Sequence, residues 1–361
     1  MINKKEKHLY NKVDGRLLKE QIAQSKEERT TISFYKYFKI ETPQEFRNYL
    51  FESFQEIGVL GRVYLAAEGI NAQISLPTEK LEELKSFLDG IEDLRNLRLN
   101  IAVEDDGKSF FKLAIKVRKK IVADGIEDNT FDSSNIGEHL SAEDFNALTD
   151  EKETILVDMR NHYESEVGHF EGAILPDCDT FKDELPMVEN LLDDKKDKNI
   201  VMYCTGGIRC EKASAYLKHK GFENVYQLEG GIIKYAKDIK EKGLPNKFIG
   251  KNFVFDERLG ERITDDVIAH CHQCGKPCDT HINCKNDACH LLFIQCEECA
   301  ERYDKCCSLE CKDYIQLPEE EQVQFRKGKN LGRQVFKKSR LRPRLGEDTI
   351  QESLKSKKEE N

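Results

Sequence analysis

Ten of the 13 cysteines in this chain fall between Cys271 and Cys311, and no other feature restricts the fold so sharply. The stretch has little apolar content beyond Leu291 to Ile294, too little for a core of its own, so something other than burial must hold it. Cys271-His272-Gln273-Cys274 and Cys296-Glu297-Glu298-Cys299 are CxxC pairs, and paired thiolates in a reducing compartment select zinc over disulfides. Cys278, Cys284, Cys289, Cys306, Cys307 and Cys311 are available to complete two tetrahedral sites. The first is assigned here to Cys271, Cys274, Cys284 and Cys289, and the second to Cys296, Cys299, Cys307 and Cys311. Cys278, Cys306, His272, His281 and His290 are alternates that the sequence leaves open. Structural zinc supplies on the order of 10–16 kcal/mol in finger peptides, so the segment is expected to fold only with metal. A catalytic zinc would keep an open position, which so many nearby sulfurs disfavour; an iron–sulfur cluster is the alternative, and would add redox capacity.

At 361 residues the chain is too long for one unit on the guide of roughly 100–200 residues per domain. A net charge of −10 argues against a protein that binds nucleic acid by being basic throughout, so any such binding must come from local patches. The polar N-terminus has no apolar signal core, and no window approaches the ~20 apolar residues of a membrane span. The expected location is the cytoplasm, with no membrane partner.

The first segment alternates strand-like and helix-like runs. Thr31 to Phe38 reads as a strand, Glu45 to Ile57 as an amphipathic helix, and Gly61 to Ala66 and Ile70 to Leu76 as a hairpin turning at Glu68-Gly69. A second helix follows Pro77-Thr78, then strand-like runs from Leu97 to Val103 and Phe110 to Val117. The order βαββαβ is the ferredoxin-like pattern, placed over residues 1–123. After a loop rich in Asp, Asn and Ser, residues 137–243 read as parallel α/β construction: a serine-capped helix after Leu140, strands Thr154 to Asp158 and Asn199 to Tyr203, a helix from Glu211 to Lys220, and a strand from Asn224 to Leu228. Residues 244–320 form the Cys-rich module, and 321–361 a basic, then mixed-charge tail.

Cys204-Thr205-Gly206-Gly207-Ile208-Arg209-Cys210 joins a buried strand to the first turn of a helix. Its backbone N–H groups can converge on one anion there, and Arg209 adds positive charge. Such surroundings lower a thiol pKa from ~8.5 toward roughly 3.5–7.5, making Cys204 a thiolate nucleophile. Four residues separate Cys204 from Arg209, one fewer than in the loop with which cysteine phosphatases cradle phosphate, so a smaller guest such as a persulfide sulfur fits better. Here the sequence resembles the rhodanese family. The resemblance extends through Leu156-Val157-Asp158-Met159-Arg160, Tyr163-Glu164, Gly168 to Ile174 and Leu228-Glu229-Gly230-Gly231-Ile232. Asp158 and Arg160 read as a buried ion pair that supports the loop rather than as catalytic groups, and His169 as a structural histidine. Cys178 reads as an ordinary thiol, while Cys210 either resolves an oxidised Cys204 or packs at the helix start.

From Arg326 to Arg344 there are nine Lys or Arg residues, Arg333, Lys337, Lys338 and Arg340 among them, with no acidic residue between. Phe325 and Phe336 lie in or beside this run, so it can neutralise phosphates and stack on exposed bases. Lys112, Lys116, Arg118, Lys119 and Lys120 form a second cluster, which reads equally as solvated surface.

The whole assembly resembles the tRNA uridine(34) hydroxylase family. The residues that carry this are Glu68-Gly69-Ile70-Asn71, the run Lys112 to Val122, the Cys204 loop, Cys271 to Cys274, Asn283 to Asn286 and Cys289 to Cys296. The resemblance implies oxygen-dependent conversion of uridine to 5-hydroxyuridine at the wobble position of the tRNA anticodon stem-loop, with Cys204 essential and molecular oxygen as co-substrate. No flavin or nicotinamide signature is present. Cys204 could act as a persulfide, as a sulfenic acid, or by adding to C6 of the uracil. The rival readings are a persulfide sulfurtransferase and an RNA-binding adaptor with a redox-sensing thiol.

Overall fold

Strands whose alternate residues are apolar must cover one face, and the first sheet shows how. The computed structural model describes residues 13–128, 130–327 and 334–336. A short helix that the sequence reading did not foresee, α1 (Gly15–Gln24), leads in, capped by the Asp14 carboxylate on the Arg16 N–H at 2.7 Å. Then come β1 (Arg29–Tyr37), α2 (Pro43–Ile57), β2 (Leu60–Ala66), β3 (Gly69–Pro77), α3 (Leu81–Asp89), β4 (Asn100–Ile101) and β5 (Leu113–Val117). Sheet order is β4-β1-β3-β2-β5. The first four strands pair antiparallel in the expected ferredoxin-like arrangement, and β5 adds parallel to β2. Ile32, Phe34, Val63, Leu65, Ala72 and Ile74 pack against Leu50, Phe54, Leu84 and Leu88 of the two helices. The Leu97 to Val103 run yields only the two-residue β4, and beyond it the Asp105 carboxylate takes the Thr31 N–H.

The second sheet is wholly parallel and buried on both sides, which accounts for its near-continuous apolar strands. Its elements are β6 (Glu138–Leu140), α4 (Ala142–Thr149), β7 (Thr154–Asp158), α5 (His162–Ser165), β8 (Gly168–Phe170), α6 (Phe181–Leu191), β9 (Asn199–Tyr203), α7 (Ile208–His219), β10 (Asn224–Leu228) and α8 (Gly231–Lys242). Strand order is β6-β10-β9-β7. Ser141 caps α4 as its position before the apolar run suggests, accepting from the Asp144 N–H. Along β9, Ile200 and Met202 join the layer of α6 and α7, and Val201 and Tyr203 that of α4 and α8.

Strand β8 stands apart from this sheet and pairs with β11 (Phe248–Asn252), which also pairs with β12 (Glu261–Arg262). The parallel unit and the Cys-rich part are therefore stitched by backbone hydrogen bonds. The remainder comprises the hairpin β13 (His281–Asn283) and β14 (Leu291–Ile294), helices α9 (Glu297–Arg302), α10 (Leu309–Tyr314) and α11 (Glu319–Arg326), and β15 (Gln334–Val335). Strand β15 lies parallel to β14 and seats Phe336, 6% exposed, against the His272 ring. Phe336 is thus a packing residue and not a free platform for stacking bases. No helix among the described residues is long and apolar enough to cross a membrane.

Candidate active site and cysteine groups

The C-terminal end of β9 delivers Cys204 into a turn that α7 then closes, so the first amides of the helix point back at the sulfur. The Gly207 N–H lies 3.1 Å from Cys204 Sγ, and the backbone N–H groups of Arg209 and Cys210 also donate to it. Burial by itself pushes this thiol up. The Cys210 thiol, which donates to it, the Arg209 charge and the backbone amides outweigh burial and bring Cys204 down to about 6. Cys210 is pushed the other way, by burial and by its donation to Cys204, so it remains a thiol.

Two glycines are required by the geometry here. Gly207 has φ +99°, and a Cβ on it would stand 2.8 Å from the Tyr35 hydroxyl. Gly231 has φ +65°, and a Cβ there would stand 2.4 Å from the Cys204 carbonyl oxygen. The start of α8 docks on the loop at that point: the N–H groups of Ile232 and Ile233 bond the carbonyls of Cys204 and Thr205 at 3.0 and 3.2 Å. This close approach explains Gly231, while Gly230 is the left-handed residue, φ +69°, at the N-cap of α8.

Arg209 does not stand free. Its guanidinium forks onto Glu164 at 2.6 and 2.8 Å, both residues being buried, and Glu164 also accepts from the Asn161 N–H at 3.1 Å. Burial pushes Glu164 up, but the Arg209 charge and hydrogen bonds prevail and hold it below the usual carboxylate range. Sequence reasoning missed Glu164 as the partner of Arg209. The signal was available, because an arginine buried beside a nucleophile needs a buried anion. Asp158 and Arg160 form a separate fully buried pair at 2.7 and 2.8 Å, tied to the Tyr203 hydroxyl and the Gly168 carbonyl. They brace the strand that carries the loop. His169 bonds the Ser165 carbonyl at 2.9 Å, and Cys178 is buried.

The loop is roofed by the first sheet. A cleft of about 380 Å³ has Cys204, Thr205, Gly206, Ile208 and Arg209 on one wall and the helix-free face of β1 to β3 on the other. That face carries Ser33, Tyr35, Arg62, Tyr64, Asn71 and Gln73, while Phe255 and Arg258 close one end. Tyr35 donates to Glu211 at 2.9 Å, Asn100 to the Gly206 carbonyl at 3.4 Å, and Lys212 to Glu68 at 2.8 Å, so side chains pin the sheet to the loop and α7. None of these roof residues was singled out for the site in the sequence. Their mark was alternation in which the positions opposite the apolar ones are amide, aromatic or basic.

Lys112, Lys116, Arg118 and Lys119 are exposed on or beside the edge strand β5, and Arg118 lies 5.9 Å over the Tyr64 ring. Lys120 differs: its ammonium pairs with Asp124 and with the Ile126 carbonyl. Arg333, Lys337, Lys338 and Arg340 lie outside the described residues.

The cysteines form two groups of four, each with its sulfurs within 4.8 Å of one another: Cys271, Cys274, Cys296 and Cys299, and Cys284, Cys289, Cys307 and Cys311. The eight cysteines brought together are the eight named from the sequence, but the grouping by sequence order is overturned. The His272 N–H bonds the Ile294 carbonyl and the Gln295 N–H the Thr280 carbonyl, so the β13–β14 hairpin brings the second CxxC beside the first and leaves Cys284 and Cys289 for the last pair. None of the alternates belongs to either group. His272 spends both ring nitrogens elsewhere, on Glu166 at 2.9 Å and the Ile294 N–H at 3.1 Å. Sulfur separations of 3.5 Å for Cys274–Cys296 and 3.6 Å for Cys289–Cys307 are near the edge of a tetrahedron with bonds of about 2.3 Å, about 3.8 Å.

Comparison with known proteins agrees with this architecture. Residues 29–121 match the UPF0176 acylphosphatase like domain, residues 141–238 the rhodanese-like domain and residues 249–312 the rhodanase C-terminal domain. A tRNA uridine(34) hydroxylase of Photorhabdus laumondii is 60% identical over 92% of this chain and 95% of its own length. Proteins of the same name from Enterobacter sp. and Yersinia pestis are 57% identical over 94% of this chain and 98% of theirs, and 58% over 92% and 94%. On that identity across nearly its whole length, the chain belongs to the tRNA uridine(34) hydroxylase family of enzymes.

Proposed function

We propose that this protein hydroxylates C5 of uridine 34 in tRNA, with molecular oxygen as co-substrate and Cys204 as the nucleophile that prepares the ring. One observation carries the reading: a thiolate with its pKa near 6 stands in a cleft of about 380 Å³ whose opposite wall is an amide, aromatic and basic sheet face. Small-molecule sulfur transfer has no need of such a roof, whereas a flipped pyrimidine does. Addition of the Cys204 thiolate to C6 makes C5 electron-rich. One oxygen atom bonds to C5, loss of the C5 proton and of the thiolate restores the ring double bond, and two electrons and two protons from an external reductant carry the second oxygen atom to water. The amides of Gly207, Arg209 and Cys210 hold the sulfur in its anionic form, and Glu164 orients Arg209 behind it. The exposed cations on or beside β5 lie one strand from Arg62 and Tyr64 of the cleft wall and would take the phosphates of the anticodon stem-loop, a role in which Arg333, Lys337, Lys338 and Arg340 would join.

Zinc fits both cysteine groups. Each offers four thiolates at tetrahedral spacing and leaves no open position, so the metal would hold the segment that braces β8 through β11.

The test is to digest tRNA from a deletion strain carrying wild-type or Cys204→Ser protein, grown under isotopically heavy oxygen, and to quantify 5-hydroxyuridine-derived nucleosides by mass spectrometry. Labelled product with wild type and none with the variant is expected. Equal product in both would remove Cys204 from the chemistry, and no product with either, alongside Cys204-dependent thiosulfate-to-cyanide transfer, would replace hydroxylation by sulfur transfer.

A further inference from the structure

We propose that Gln73 reads the imide edge of the target pyrimidine, and that a hydrogen-bond relay starting at the Ile121 carbonyl fixes which way its amide faces, making the site selective for uracil over cytosine. The inference rests on the reading above, that the base enters the cleft beside Cys204.

Asn71 and Gln73 are two residues apart on β3, so both leave the same face of the sheet; their neighbours Ala72 and Ile74 go to the core. Both line the cleft that holds Cys204. Taken alone, either amide could sit either way round. The chain of contacts removes that freedom. The Ile121 carbonyl can only accept, and it lies 3.2 Å from Asn71 Nδ2, so Asn71 must turn its N–H₂ that way and its Oδ1 toward Gln73. That oxygen is 2.6 Å from Gln73 Nε2, so Gln73 in turn must present an N–H to it. What remains is an Oε1 that takes no hydrogen bond among the described residues, and one further N–H beside it.

That pair is the complement of one half of a uracil imide. Oε1 accepts from N3–H, and the second N–H donates to an adjacent ring carbonyl. On its C4 side cytosine reverses both needs, with a lone pair at N3 and an amino group beside it, and on its O2 side it reverses the one at N3. Turning the Gln73 amide to suit cytosine would set Oε1 against Asn71 Oδ1, two acceptors with no proton between them. Tyr64 and Tyr35 flank Asn71 across the ladder and offer ring faces to any pyrimidine, so stacking supplies affinity and the amide supplies discrimination.

The test is equilibrium binding of full-length protein to anticodon stem-loop RNAs that differ only at position 34, carrying uridine, cytidine or 3-methyluridine, read by fluorescence anisotropy. Wild type is expected to prefer uridine to either competitor by about tenfold or more, the worth of one unmade hydrogen bond. Gln73→Ala should bring the three affinities together. Asn71→Ala should keep the glutamine but release its orientation, raising the affinity for cytidine relative to uridine and leaving 3-methyluridine weak. Thermal unfolding of each variant shows whether the fold survives; should Asn71→Ala unfold, Gln73→Ala alone decides, since its side-chain hydrogen bond is to Asn71. Equal binding of uridine and cytidine by wild type, a ratio unchanged in Gln73→Ala, or no binding of any of the RNAs overturns the proposal. A Gln73-dependent preference for uridine in a protein that forms no 5-hydroxyuridine would leave it standing and remove the hydroxylase reading instead.

Discussion

Replacing Cys210 with alanine removes one hydrogen bond from Cys204 and shortens one buried side chain in the core beneath the loop. Burial raises the Cys204 thiol, and the first of the influences that bring it back to about 6 is donation from the Cys210 thiol, ahead of the Arg209 charge and the loop amides. A hydrogen bond to a charged acceptor is worth about 1.5–3 kcal/mol, and 1.36 kcal/mol corresponds to one pKa unit. Cys210→Ala should therefore raise Cys204 from about 6 to about 7–8. The thiolate is the reactive form, so alkylation of Cys204 rises with pH through its pKa and then levels off. In Cys210→Ala that rise should come later, with the rate near pH 6 lower by a factor of about five or more. Cys210→Ser, which keeps a donor, should restore most of the wild-type profile. Alkylation with iodoacetamide, followed on the Cys204 peptide by mass spectrometry, separates this thiol from the other 12. An alanine variant whose profile keeps the wild-type midpoint would refute the account of how this sulfur is held as an anion.

Glu164→Ala leaves the buried Arg209 guanidinium without its forked partner and should cost about 3–5 kcal/mol, read as a lowered urea midpoint; an unchanged midpoint argues against a structural ion pair. Because Glu164 is held below its ordinary value of about 4.3, its contribution is complete above that pH and drains as the pH falls through the folded value, so the wild-type midpoint should drop in acid more steeply than that of Glu164→Ala. Gly231→Ala puts a methyl 2.4 Å from the Cys204 carbonyl, at φ +65°, and should abolish Cys204 alkylation or activity at a pH where the protein is still folded by circular dichroism. A strong chelator should expose residues 271–311 to protease while the parallel sheet stays protected; equal protection with and without chelator would mean that metal does not hold this segment.

Much of the site's chemistry was legible because it is local. The Cys204 loop needs only a strand, two glycines and a helix start, all contiguous, and the N–H cradle follows from them. The ferredoxin-like order was legible for a similar reason, since hydrophobic period distinguishes strands of period 2 from helices of period 3.6. Where the reading failed, the missing information was distance in space. The cysteine groups pair the 271–274 knuckle with the 296–299 knuckle because the β13–β14 hairpin doubles the chain back, and linear order carries no record of that fold. Phe336, set among basic residues, looked like a stacking platform, and a two-residue pairing with β14 buried it.

The sequence by itself determined the Cys204 loop, the eight cysteines that come together and the three-part architecture, each of which follows from side-chain chemistry at short spacing. Only the tertiary structure decided what faces Cys204. The roof of the cleft comes from strands more than a hundred residues earlier, and Glu164 approaches from α5, forty residues before the cysteine. A strand's polar face shows in sequence as alternation, but which surface it will cover depends on how separate units pack, and packing is settled by long-range burial and pairing that no local pattern encodes.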